Sequence, residues 1–160
     1  MSKLIKAIAV INNKNCSGTI EFHEQNYSNK IKIIVSLENI KEGKHGFHIH
    51  ETGNLSDGCK SCCSHFNPTK TIHGGPESTI RHIGDLGNIT ADKSKKCKEI
   101  FYDNKIKLRG NKFNIIGRSL VIHEKEDDLG MGGDRESLKT GNAGNRIGCA
   151  VIGYKDAFYF

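Results

Sequence analysis

The chain has 160 residues, 36% hydrophobic and 26% charged, with 24 Lys+Arg against 18 Asp+Glu and a formal charge of +6. That length suits one domain around one core, and the apolar content argues against disorder. No apolar run approaches the roughly 18 residues of a bilayer span, and no basic run with interleaved aromatics points to nucleic acid, so neither membrane nor nucleic acid is expected as a partner.

In chain order, Lys3–Ile11 alternates, with Leu4, Ile8 and Val10 on one strand face and Ile5, Ala7 and Ala9 on the other. Short strand-like runs follow at Gly18–Phe22, Lys30–Leu37 and Lys44–His50. An irregular, Gly- and Pro-bearing segment runs from Glu51 to about Ile83, and further runs lie at Leu86–Ala91, Glu99–Tyr102, Ser119–His123 and Cys149–Tyr154. A second irregular segment covers Glu124–Ile147. No stretch keeps a 3.6-residue apolar period, so the fold predicted is an all-β sandwich or barrel in a single domain over 1–160. Two loops this long in a compact domain imply that both have a function. Lys3 and Lys6 interrupt the apolar N-terminus, which lacks a secretory signal, and an intracellular, cytoplasmic chain is expected.

Eight histidines are unusual in so short a chain. His48 and His50, at i and i+2 on a strand, put two imidazoles on one face. Alone they could be two surface histidines as readily as half a metal site. His65, His73 and His82 follow in the first long loop, Asp85 lies three residues past His82, and His123 ends the run Leu120-Val121-Ile122. Six histidines and an aspartate exceed one ion's needs and are ligand types that zinc accepts. Two four-coordinate sites sharing seven side chains need one common ligand, and an imidazole with both nitrogens free can be it. The cysteines are Cys16, Cys59, Cys62, Cys63, Cys97 and Cys149. Clustering of Cys59, Cys62 and Cys63 invites a thiolate reading, but a lone C-x-x-C is a weak signal, and Cys149 stands far away.

These residues lie within stretches that closely resemble the copper/zinc superoxide dismutase family. The stretches are Gly46-Phe47-His48-Ile49-His50-Glu51, His65-Phe66-Asn67-Pro68, His73-Gly74-Gly75-Pro76 and Arg81-His82-Ile83-Gly84-Asp85-Leu86-Gly87-Asn88. Downstream come Ile116-Gly117-Arg118-Ser119-Leu120-Val121-Ile122-His123-Glu124-Lys125, Asp127-Asp128-Leu129-Gly130 and Lys139-Thr140-Gly141-Asn142-Ala143-Gly144-Asn145-Arg146.

The resemblance implies an eight-stranded antiparallel Greek-key β-barrel or sandwich with two long functional loops. It implies one copper per chain on His48, His50, His65 and His123, and one zinc on His65, His73, His82 and Asp85, with His65 as the bridging imidazolate. Asp127 would link His48 to His73 through their free ring nitrogens. Arg146 would dock the superoxide anion beside copper, with Thr140, Glu136 and Lys139 lining the channel, and Cys59 would pair with Cys149. Copper would be alternately reduced and reoxidised by superoxide while His65 takes up and delivers a proton, giving O2 and H2O2. A homodimer through Ile116-Gly117 and the last strand is expected, and a copper chaperone is a candidate second partner.

The alternatives differ by residues that are all present here. A non-catalytic copper carrier of the same fold would dispense with a copper histidine or Arg146. A copper-only enzyme would lack His73, His82 or Asp85, and a zinc hydrolase would need an open zinc position. Arg135 stands where the family usually has an acidic residue, and Cys62 and Cys63 replace small residues, as inert thiols, as competitors for Cys59 or as aids to copper delivery. Cys16 and Cys97 are read as plain free thiols, His23 as exposed, and His45 as a hydrogen-bonding barrel residue outside the metal set. The aromatic tail Lys155–Phe160 extends past the family core and, with Tyr154, would either enlarge a dimer contact or cover that patch.

Overall fold

The computed structural model describes residues 3–157; the aromatic residues Phe158, Tyr159 and Phe160 of the expected tail contact lie outside the described residues. The strands are β1 (Lys6–Asn13), β2 (Cys16–Gln25), β3 (Ser28–Glu38), β4 (Gly43–His50), β5 (Ser56–Cys59), β6 (Asp85–Ala91), β7 (Lys96–Asp103), β8 (Ser119–His123), β9 (Arg146–Val151) and β10 (Gly153–Tyr154). A five-stranded antiparallel sheet runs β10-β1-β2-β3-β7, and a four-stranded one runs β6-β4-β8-β9. Eight long strands build this sandwich as expected; β5 and β10 are short additions.

Alternation explains both faces. Ala7, Ala9 and Ile11 turn inward from β1, whereas Val10 is 61% exposed. In the second sheet Phe47, Ile49, Leu120, Ile122 and Ala150 enter the core. Phe47 meets Phe101 of β7 edge-to-face at 5.6 Å between ring centres, an inter-sheet contact worth roughly 0.5–1.5 kcal/mol beyond its burial. The period of two then sends His48, His50, Val121, His123 and Cys149 to the opposite face. His48 pairs with Val121 in register, and Val121 with Cys149.

That outer face is not solvated, because the two long loops cover it. The first returns to β4: Phe66 N donates to Ile49 O at 2.8 Å, Ile49 N to Gly84 O at 2.9 Å, and Gly84 N to Phe66 O at 3.0 Å. A Cβ on Gly84 would stand 2.1 Å from Ile49 O, so only glycine permits this approach. The second loop contains one helical turn, α1 (Ser137–Thr140), where the sequence reads as irregular; a single turn is too short to show a period. His73 N donates to Leu138 O at 2.8 Å and ties the two loops together. A disulfide joins Cys59 to Cys149 across a separation of 90 residues.

Candidate metal centre

All six loop and strand histidines, with Asp85, are buried beneath these loops, which excludes the surface-histidine reading. The ligating atoms fall into two adjoining groups, each within 4.8 Å: His48, His50, His65 and His123, and His65, His73, His82 and Asp85. His65 belongs to both. In the second group His65 Nδ1 lies 2.9 Å from Asp85 Oδ1, His73 Nδ1 3.0 Å and His82 Nδ1 3.2 Å from the same oxygen, and His82 Nδ1 3.3 Å from His65 Nδ1. A tetrahedron with zinc–nitrogen bonds of about 2.0–2.1 Å has edges of roughly 3.3 Å. In the first group His50 Nε2 and His123 Nε2 are 3.3 Å apart.

Nitrogen assignment follows from what each ring's other atom does. His50 Nδ1 donates to Cys63 O at 2.8 Å and His123 Nδ1 to Gly144 O at 3.1 Å, which leaves both Nε2 atoms as ligands. His48 Nε2 and His73 Nε2 donate to the two oxygens of buried Asp127, at 2.6 and 2.8 Å. His48 Nδ1 is then buried without a hydrogen-bond partner, and His73 Nδ1 faces only the Asp85 carboxylate it shares with His65 and His82. An orphaned buried nitrogen is costly in a folded chain unless an ion takes it, and three imidazole nitrogens converging on one carboxylate match a zinc shell, so the donor set fits two cations.

Electrostatics prepares the same outcome. Burial pushes His48 and His50 far below the ordinary histidine value, lowers His65, and takes His123 to about 4. Those rings are neutral, as a metal requires. Burial lowers His73 too, but the facing carboxylates of Asp127 and Asp85 outweigh it and lift the ring to about 9. Burial would raise Asp85, yet its contacts with His65, His73 and His82 hold it well below the usual carboxylate range.

Several supports carried no side-chain signal or stood too far apart in sequence. Asn88 braces Asp127 from β6: its Oδ1 accepts from Asp127 N at 2.7 Å and its Nδ2 donates to Asp127 O at 2.9 Å. Gly141 has φ +69, and a Cβ there would sit 1.9 Å from Asp127 Oδ1 and 2.6 Å from His73 Nε2. Arg81, buried beside His82, reaches Asp85 O and the Asp103 carboxylate. Asp85 Oδ2 accepts from His82 N at 2.8 Å and Gly74 N at 3.1 Å.

A cavity of about 1040 Å³ opens over the first group, lined among others by His123, Glu136, Lys139, Thr140 and Arg146. Arg146 Nη1 donates to Cys59 O at 2.7 Å and Nη2 to Cys63 O at 2.6 Å, which holds the half-exposed guanidinium at the mouth. Thr140 Oγ1 donates to Glu136 Oε1 at 3.1 Å. Arg135 is exposed and does not line the cavity. His45 stays outside the site, between His123 O and Lys41 O at 2.8 Å each. His23 is half-buried rather than exposed, because Glu21 draws it in at 2.7 Å.

Two histidine-rich ligand groups sharing one imidazole, on the outer face of an antiparallel sandwich, define a binuclear metalloprotein whose cavity carries Arg146 at its mouth. The family model for copper/zinc superoxide dismutase matches residues 16–152. A Cu-Zn superoxide dismutase of Paramecium bursaria Chlorella virus 1 is 60% identical over 155 residues, covering 96% of this chain and 81% of its own. An extracellular Cu-Zn superoxide dismutase of Drosophila melanogaster is 47% identical, over 94% and 86% of the two chains. The solved structure of the clock protein EA4 superposes with a TM-score of 0.90 at 42% identity, over 96% of both chains. The chain belongs to the copper/zinc superoxide dismutase family. It is an oxidoreductase acting on superoxide, with copper and zinc as cofactors.

Proposed function

We propose that His48, His50, His65 and His123 hold one copper per chain, that His65, His73, His82 and Asp85 hold one zinc, and that His65 bridges them. The observation carrying this reading is the buried, unpartnered Nδ1 of His48 in the first group and the convergence of the His65, His73 and His82 Nδ1 atoms on Asp85 in the second, with the His48 and His73 rings fixed through Asp127. Copper supplies one-electron exchange with superoxide, and zinc supplies a fixed charge without redox chemistry. The remaining work belongs to the chain. Arg146 receives the anion, steered and stabilised electrostatically. His65 Nε2, held in place through Nδ1, takes up a proton and passes it to the reduced product. Thr140, Glu136 and Lys139 shape the entrance. Two superoxide anions and two protons thus become O2 and H2O2. Measuring superoxide decay with the copper–zinc, zinc-only and metal-free protein tests this: only the first should dismutate, and a fully metallated, folded, inactive sample would overturn it.

The whole of 1–160 acts as one such domain in this reading, in the cytoplasm. Among the described residues no helix is long and apolar enough to cross a membrane. A homodimer through Ile116-Gly117 and β9 is supported by an exposed apolar side chain there: Val151, which shares Gly53 as a neighbour with Gly117, is 40% exposed in the single chain. Sedimentation should give twice the chain mass, with Val151→Lys shifting it to monomer; a monomeric parent at micromolar concentration refutes the dimer.

A further inference from the structure

Four cysteines are free: Cys16, Cys62 and Cys97 are buried and Cys63 is exposed. Cys16 and Cys97 sit in the main core, where burial pushes both thiols up to about 12 and leaves them unreactive. Cys62 is differently placed. It packs with Val121, Cys149 and Cys59 in a separate small apolar cluster on the outer face of the four-stranded sheet. It is thus a free thiol lying against the disulfide.

The backbone brings Cys62 to Cys59 as well. Residues Lys60–Cys62 form a 3₁₀ turn capped by Cys59, whose own φ of −72° and ψ of −14° are already helical. In such a turn side chains at i and i+3 eclipse, and a rise of about 2.0 Å per residue sets the two Cα atoms roughly 6 Å apart. Disulfides span Cα separations of about 4.4–6.8 Å. The turn is pinned by Ser61, whose Oγ donates to Gly58 O and accepts from Asp57 N, both at 3.1 Å, and by Thr52 N donating to Cys62 O at 3.3 Å. Cys63 follows with φ +64 and turns its sulfur toward Ser61 O and Thr52 Oγ1 instead.

We propose that Cys59-Lys60-Ser61-Cys62 is a second disulfide site, so that Cys59 exchanges between Cys149 and Cys62. The thiolate of Cys62 attacks Cys59 Sγ, the Cys59–Cys149 bond breaks, and its electron pair leaves on Cys149 Sγ, which takes the proton Cys62 released. One disulfide and four thiols are present before and after, so no oxidant is consumed. A small thiol such as glutathione catalyses the exchange by first forming a mixed disulfide on Cys59, from which Cys62 displaces it.

The exchange exchanges a crosslink spanning 90 residues for one spanning three. It frees from β9 the segment whose carbonyls hold the site: Cys59 O and Cys63 O receive Arg146, and Cys63 O also receives His50 Nδ1. The functional consequence rests on the role proposed above for Arg146; the exchange itself does not.

The test equilibrates the metallated protein in glutathione buffers of graded redox ratio, quenches with acid, alkylates and maps disulfides by mass spectrometry after trypsin. Cleavage at Lys60 separates Cys59 from Cys62, so the new bridge appears as a linked peptide pair. Expected is a Cys59–Cys62 population with four thiols per chain, lost in Cys62→Ala and kept in Cys63→Ala. Finding only Cys59–Cys149 and fully reduced chains at every ratio, or a Cys59–Cys63 bridge, overturns the proposal. Cys149→Ser under oxidised glutathione should form Cys59–Cys62; two free thiols there overturn it too, and should that variant fail to fold, the parent's map decides alone. The exchanged form should dismutate roughly ten- to a hundredfold more slowly at unchanged copper content, and a full rate would overturn the coupling to Arg146. Absence of dismutation in the Cys59–Cys149 form would instead count against the enzyme reading.

Discussion

Asp127→Ala removes the carboxylate that orients both ligand groups at once. Three hydrogen bonds go with it: from His48 Nε2 at 2.6 Å, His73 Nε2 at 2.8 Å and Leu129 N at 2.7 Å. Loss of such a partner behind a ligating histidine typically costs about 10–100-fold in metal affinity. One ring in each group is affected, so zinc and copper should each weaken by that factor. Converted to free energy this is roughly 1.4–2.7 kcal/mol per site, and metal-dependent stability falls by the same amount at fixed free metal. For a chain of this size the melting temperature of the zinc-loaded protein drops by about 3–10 °C. Chelator competition gives both dissociation constants, and calorimetry gives the melting shift. The metal-free protein controls for structural damage, since a loss confined to packing would lower its melting temperature equally. Zinc affinity within twofold of the parent would refute the reasoning, because it would mean His73 is oriented without Asp127.

Three further outcomes follow from the geometry. Gly141→Ala should phenocopy Asp127→Ala in zinc affinity, because its Cβ would displace Asp127 Oδ1 and His73 Nε2, and chelator competition again reads the result. Arg146→Glu should slow dismutation and reverse the sign of its salt dependence while copper content stays at one per chain, as followed by superoxide decay across ionic strengths; copper loss would show the side chain to be misassigned. Cys149→Ser should lose about 4–5 kcal/mol of stability in denaturant unfolding, the chain-entropy value for a loop of 90 residues.

The fold was legible where alternation is strong and blurred where polar residues carry strands. Ser119–His123 matches β8 residue for residue. β7 begins at Lys96 rather than Glu99, because its first residues are an edge-strand Lys-Cys-Lys that reads as turn. β9 begins at Arg146 because pairing with β8 overrides the weak strand signal of Arg-Ile-Gly. The seven candidate ligands stood out as residue types at strand and loop positions, and the resemblance supplied their grouping. What holds them did not stand out: the carbonyls of Cys63 and Gly144 have no side-chain signature, and Asn88 lies 39 residues from Asp127.

Element-resolved anomalous diffraction at the copper and zinc edges tests the shared-imidazole centre most directly. The predicted map puts copper among His48, His50, His65 and His123, and zinc among His65, His73, His82 and Asp85, with the His65 ring between the two peaks. Peaks coordinated by cysteine sulfurs, or lying apart with His65 touching only one, would contradict it.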